Sequence, residues 1–305
     1  MARGTGRRLG QGAFGTVTLH EIGTERYAVK TVQIDRSYES REAETCIFLM
    51  KNPCRNVVHI FEVHVGDALV ITMEVIRYSL HDVLQRMDKA ALRIKQDRAM
   101  AIICDIATGL QHLHHHGITH RDIKPQNVLT DTIANVSKIC DFGSAKCLTA
   151  NNTPYITTRF YRAPELILDR NYTDSVDIWA LGCVAAEVCG ISPLFQGDSN
   201  VGQLCAIIRL IGTPTTEDMR CLDSTGELET QAFTKHKKRP ISSALQKQMP
   251  NGRRIMLSYG APYESLLGRM LSWAPSKRPS ATEVMSIMGN WVSWQTTPGN
   301  AQKQA

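Results

Sequence analysis

The segment His120-Arg121-Asp122-Ile123-Lys124-Pro125-Gln126-Asn127 gathers a carboxylate, an ammonium and a carboxamide within eight residues. Asp122 suits accepting or orienting the proton of a substrate hydroxyl, Lys124 neutralising charge on a transferring γ-phosphate, and Asn127 ligating magnesium. Fourteen residues beyond Asn127 comes Asp141-Phe142-Gly143. Asp141 is a second candidate ligand, for a magnesium ion that bridges phosphates. Near the start, Gly10-Gln11-Gly12-Ala13-Phe14-Gly15-Thr16-Val17 is glycine-rich. A dinucleotide fingerprint would need a helix directly after it. Thr16 to Leu19 continues instead as a strand, which predicts a strand-loop-strand flap whose amides approach ATP phosphates. Lys30 closes Tyr27-Ala28-Val29-Lys30, fifteen residues after Gly15. It fits a lysine that holds the α- and β-phosphates. That ammonium needs a carboxylate to fix it. Glu42, twelve residues on, is the first choice and Glu44 the second. Alone, each piece has an ordinary reading: a loop, a solvated strand end, a turn. The ordered set points to phosphoryl transfer.

The elements that must position these residues fall into two groups. Up to about Met73 the chain shows short strands rich in Val, Ile and Thr, interrupted by one helical stretch around Ser40 to Met50. Beyond Ile76 the pattern turns helical. Asp97 to His116 carries an apolar stripe of Met100, Ile103, Ala107, Leu110 and Leu113, with Gly117 as its stop. Asp174 to Cys189 is mostly apolar and predicted buried. This predicts an α+β bilobal fold: a small β-rich lobe over 1–76 with one helix, a larger helical lobe over 77–295, and a polar tail over 296–305. Glu74 to Arg77 would be the hinge beside a ligand cleft.

Composition narrows the class. The 305 residues are 43% apolar and 21% charged, ordinary for a globular protein. No apolar run approaches a bilayer's thickness, and the basic start lacks the apolar core of a secretory signal. Nine cysteines without a C-x-x-C pair argue against zinc or redox motifs and for reduced thiols in the cytoplasm or nucleus. The net charge of +6 fits a solvated basic surface better than a preference for anionic substrates, and the run Lys235 to Arg239 fits a polar loop end better than a nuclear signal or patch; no nucleic-acid partner is expected. His112, His114, His115 and His116 cannot converge on one ion from a single helix.

Together these motifs resemble the protein kinase superfamily over about residues 9 to 290. The resemblance implies that Ala163-Pro164-Glu165 closes an activation segment, that Arg278 pairs with Glu165, and that Asp177 braces the catalytic loop. Lys124, two residues after Asp122, implies serine or threonine substrates. Thr158 is expected between Asp122 and Lys124. Met73 resembles the gatekeeper, and backbone groups of Glu74 and Ile76 would meet the adenine edge. Leu9, Val17, Ala28, Leu129 and Cys140 would line the ring by dispersion. The rival from another class, a pseudokinase scaffold, would lack Lys30, Asp122 or Asp141; all three are present.

Finer features are similar to the glycogen synthase kinase 3 family within the group that also holds cyclin-dependent and mitogen-activated kinases. They are Lys138 to Lys146, Phe195-Gln196-Gly197-Asp198-Ser199, and Arg41 directly before Glu42. In that family the equivalents of Arg41, Arg121 and Lys146 form a cationic pocket for a phosphoserine already on the substrate, four residues after the target. Tyr155 matches the family's regulatory phosphotyrosine. Thr153-Pro154-Tyr155 also resembles the dual phosphosite of mitogen-activated kinases, the alternative reading. The nine residues before Gly10 hold no serine, so regulation by the family's N-terminal pseudosubstrate serine is not expected. Glu217 to Arg239 departs from the family's scaffold-binding stretch, although Gly202 to Ile211 resembles the helix beneath it. A monomer is expected.

Overall fold

In a computed structural model of the chain, β-branched residues that alternate in burial pair into one antiparallel sheet. Residues 6–12, 15–33, 41–90, 94–131, 133–147, 158–189, 193–222, 234–241, 246–248, 254–256 and 261–296 are described. The sheet contains β1 (Arg7–Gly12), β2 (Gly15–Ile22), β3 (Glu25–Gln33), β4 (Ile60–Val65) and β5 (Ala68–Met73), in the order β1-β2-β3-β5-β4. Period-2 alternation puts Ala28 and Lys30 on the buried face of β3. Gly12 and Gly15 pair across the first turn. Gly15 has φ +115°, and a Cβ there would collide with the Thr31 carbonyl oxygen, so only glycine fits. The helix α1 (Arg41–Lys51) crosses beside β4 and buries Glu42, Ala43, Cys46 and Leu49.

After β5 the chain crosses at Glu74 to Arg77 and turns helical. A two-residue strand β6 (Tyr78–Ser79) leads into α2 (Leu80–Lys89). A reciprocal capping box starts α2: the Ser79 hydroxyl accepts from the Asp82 amide, and the Asp82 carboxylate accepts from the Ser79 amide. Next comes α3 (Gln96–His115). Its stripe of Met100, Ile103, Ala107, Leu110 and Leu113 is completely buried. Gly117, at φ +69°, turns the chain out of that helix. Short strands β7 (Ile118–Thr119), β8 (Val128–Asp131), β9 (Val136–Ile139) and β10 (Lys146–Cys147) flank the polar motifs. β8 pairs with β6 and β9, and β10 pairs with β7.

Beyond them lie α4 (Pro164–Ile167), α5 (Ser175–Val188), α6 (Asn200–Ile211), α7 (Thr216–Leu222), α8 (Ala261–Met270) and α9 (Ala281–Thr296). Every residue of α5 after Ser175 is buried, as expected for a helix apolar all round. α3, α5, α8 and α9 form the core beneath the polar loops. α9 runs through Thr296, where the polar tail was expected to begin; residues 297–305 lie outside the described residues. Among the described residues, no helix is long and apolar enough to cross a membrane.

Candidate active site

The cleft between the sheet and the helices encloses about 1020 Å³. Leu9, Gly10, Gly15, Val17, Ala28, Lys30, Met73, Glu74, Ile76, Leu129, Cys140 and Asp141 all line it, as does Asn127. Gly12 ends β1 beside this lining. The back of the cleft is apolar, with Cys46, Val58, Ile60, Ile71 and Phe142 behind Met73. The Glu74 side chain is held away as a tie across the hinge. It accepts from Lys138 Nζ at 2.6 Å and from the His59 amide at 2.6 Å.

Lys30 Nζ reaches Glu42 Oε1 at 2.5 Å and Asp141 Oδ1 at 2.7 Å. Glu42, the first choice of the two glutamates, is thus the one that meets Lys30, while Glu44 faces solvent. Burial would lower the Lys30 pKa, but Asp141 and Glu42 overcome it and hold the ammonium above its ordinary value. Burial likewise opposes ionisation of Asp141, yet Lys30 keeps its carboxyl below the usual range. The charged forms of both groups are thus favoured in the cleft. Burial pushes the Cys140 thiol far above its ordinary value, so it sits in the cleft wall as an apolar surface.

The polar loop after β7 is tied to the core by one carboxylate. Asp177, on the buried helix α5, accepts from the His120 and Arg121 amides at 2.8 Å each and from His114 at 2.9 Å. Although burial raises it, these contacts hold the Asp177 carboxyl below its ordinary range. The bracing matters because Arg121 and Asp141 adopt φ of +65° and +66°, left-handed conformations that cost a non-glycine residue energy. Asp122 is then presented with its oxygens occupied. Oδ2 accepts from Lys124 at 2.6 Å and Asn127 at 2.9 Å, and Oδ1 accepts from the Thr158 hydroxyl at 3.2 Å. Lys124 also donates to Thr158 at 2.8 Å. Thr158 thus sits between Asp122 and Lys124, as the motif implied.

Further along, Arg278 grips Glu165 through two bonds of 2.6 and 2.8 Å, with both side chains fully buried. Arg121 continues away from the catalytic loop, donating Nε to the Ser144 carbonyl and Nη1 to the Tyr172 hydroxyl, each at 2.7 Å. Lys146 lies nearby in β10 and Arg41 begins α1. Burial, then the positive charges of Arg121 and Arg41, lower the Lys146 pKa. Thr153 and Tyr155 lie outside the described residues.

A family model described as protein kinase domain matches residues 4–288. The chain belongs to the protein kinase family. Two curated relatives sharpen this. "Protein kinase gsk3" of Schizosaccharomyces pombe is 33% identical over 91% of this chain and 71% of its own length. "Glycogen synthase kinase 1" of Pyricularia oryzae is 32% identical over 91% of this chain and 69% of its own. The kinase is accordingly an ATP-dependent serine/threonine kinase of the glycogen synthase kinase 3 type, and the mitogen-activated reading is not favoured. The kinase also uses groups that the motifs did not single out. His120 Nε2 donates to the Cys140 carbonyl, 3.1 Å away, and Tyr172 anchors Arg121. Tyr172 carries no local signal, because its partner is 51 residues away in sequence.

Proposed function

We propose that the kinase phosphorylates serine or threonine hydroxyls on protein substrates that already carry a phosphate four residues C-terminal to the target. Asp122 accepts or orients the hydroxyl proton, and Lys124 offsets charge on the transferring phosphoryl oxygens. Lys30, fixed by Glu42, holds the α- and β-phosphates. Asn127 and Asp141 would hold magnesium. Asn127 Oδ1 and Asp141 Oδ2 accept no hydrogen bond from the described residues, and both residues line the same cleft. Magnesium is commonly held by one or two protein oxygens together with substrate phosphates, so this donor set fits. When bound, the ion neutralises phosphate charge.

One observation carries the priming reading. Lys146 is 3% exposed, and its Nζ makes no hydrogen bond within the described structure. A buried ammonium without a partner is costly, and a dianionic phosphate beside Arg121 and Arg41 would relieve that cost. We extend the proposal to scaffold proteins near Gly202 to Ile211 on α6, the helix that resembles the one beneath the family's scaffold-binding stretch; Cys205 and Arg209 are exposed there. The kinase is proposed to act as a monomer.

A paired peptide assay, S-x-x-x-S against S-x-x-x-pS, tests the priming claim. Wild type should prefer the phosphorylated peptide, and Arg41→Ala should lose that preference. If priming hardly changes kcat/KM and Arg41→Ala is silent, the priming claim fails while the kinase assignment stands.

A further inference from the structure

The loop and ladder around Lys146 hold two further buried hydroxyls with no partner. Thr119 Oγ1 and Ser144 Oγ, like Lys146 Nζ, make no hydrogen bond within the described structure. Thr119 is 1% exposed and Ser144 2%. Buried polar groups are almost always hydrogen-bonded, so three orphans at one place need an explanation. They are close neighbours. Thr119 stands directly opposite Lys146 in the β7–β10 ladder, and directly opposed residues share a face of the ribbon. Thr119 is also two residues before Arg121. Ser144 is two residues before Lys146, and its carbonyl accepts from Arg121 Nε at 2.7 Å. Thr119 thus shares a ribbon face with Lys146, and Ser144 lies in the turn that enters β10, tied to Arg121 through its carbonyl while its hydroxyl stays unpaired.

We propose that Thr119 and Ser144 are additional donors of the anion pocket, completing with Lys146 a buried cradle that takes a tetrahedral phosphate in preference to a carboxylate. The inference rests on the priming reading above. The chemistry favours phosphate for two reasons. A phosphate monoester near neutral pH brings close to two charges and three acceptor oxygens, enough for the cations and both hydroxyls. A carboxylate brings one charge and two oxygens in a plane, and would leave buried donors unpaired.

The test compares three peptides, S-x-x-x-pS, S-x-x-x-E and S-x-x-x-S, on the full chain. Wild type, Thr119→Val, Thr119→Ser and Ser144→Ala are used. Valine keeps the shape of threonine and removes the hydroxyl; serine restores it. In wild type the phosphorylated peptide should far outperform the glutamate one. Thr119→Val should shrink the preference for the phosphorylated over the unprimed peptide by about tenfold, the size expected for a lost hydrogen bond to a charged group. The change should fall in KM rather than kcat, and Thr119→Ser should recover most of it. A wild-type preference that survives both Thr119→Val and Ser144→Ala within twofold overturns this inference and leaves the priming reading intact. If wild type shows no preference for the phosphorylated peptide, both fall.

Discussion

Glu165→Gln should be among the most damaging single substitutions outside the cleft. Glu165 and Arg278 have no exposed side-chain surface and share two short charge-assisted bonds. Gln at 165 keeps the shape and removes the charge, leaving the guanidinium buried without a counterion. Arg278 also donates to the carbonyls of Ser272, Ser175 and Trp273 and lies 5.1 Å from the Trp179 ring centroid. Those contacts hold it in place but supply no opposing charge. Breaking such a pair from one side costs about 3–5 kcal/mol, against a total stability of about 5–15 kcal/mol for a domain. Replacing both partners, as in Glu165→Leu with Arg278→Met, removes the stranded charge and should recover much of the loss. Urea unfolding of the four proteins in this cycle gives the coupling energy. Phosphorylation of a peptide by Glu165→Gln should fall because Glu165 ends the activation segment on α4. A cost below about 1 kcal/mol for Glu165→Gln, or additive effects in the double variant, would refute the reasoning.

Other substitutions test neighbouring parts of the account. Asp177→Asn should cut peptide turnover while leaving nucleotide affinity nearly unchanged, since it replaces one of the two oxygens that accept from the His120 and Arg121 amides by a donor but touches no cleft residue; equal losses in kcat and nucleotide binding would contradict this. Glu187 accepts from the buried Tyr161 hydroxyl at 2.7 Å, and burial raises its carboxyl from 4.5 to about 7. The folded state therefore holds this proton where the unfolded chain has lost it, so stability falls as pH rises from about 4.5 to about 7. The penalty is bounded at ~3 kcal/mol from about 1.4 kcal/mol per pH unit, and Glu187→Gln should flatten that slope in urea titrations across the window. Gly109→Ala should destabilise by about 1–3 kcal/mol by the same measurement, an overpacking cost. Its Cβ would lie 2.7 Å from the Asn56 carbonyl oxygen and 2.8 Å from Ile139, between α3 and β9.

The two-lobed fold and the cleft were legible because local patterns mark them. Period-2 alternation locates Lys30, the stripe from Met100 to Leu113 locates α3, and contiguous motifs carry Asp122, Asn127 and Asp141. Pairings across the molecule were legible only through the family resemblance, as with Arg278 and Glu165, 113 residues apart. Sequence ranked Glu42 above Glu44 without separating them by contact, since both lie in the first turn of α1 and the facing side of β3 decides. Contacts without a motif were invisible: the Glu74–Lys138 tie, Tyr172 on Arg121, and the orphaned hydroxyls of Thr119 and Ser144. Each depends on which loops the fold brings together.

The most direct test of the central claim is transfer of the γ-phosphate of ATP to a serine peptide by wild type and Asp122→Ala. Wild type should label the peptide, and the variant should retain its fold and lose about 10²–10⁴ in turnover, the scale of general acid–base catalysis. Equal turnover by the two proteins would contradict the account.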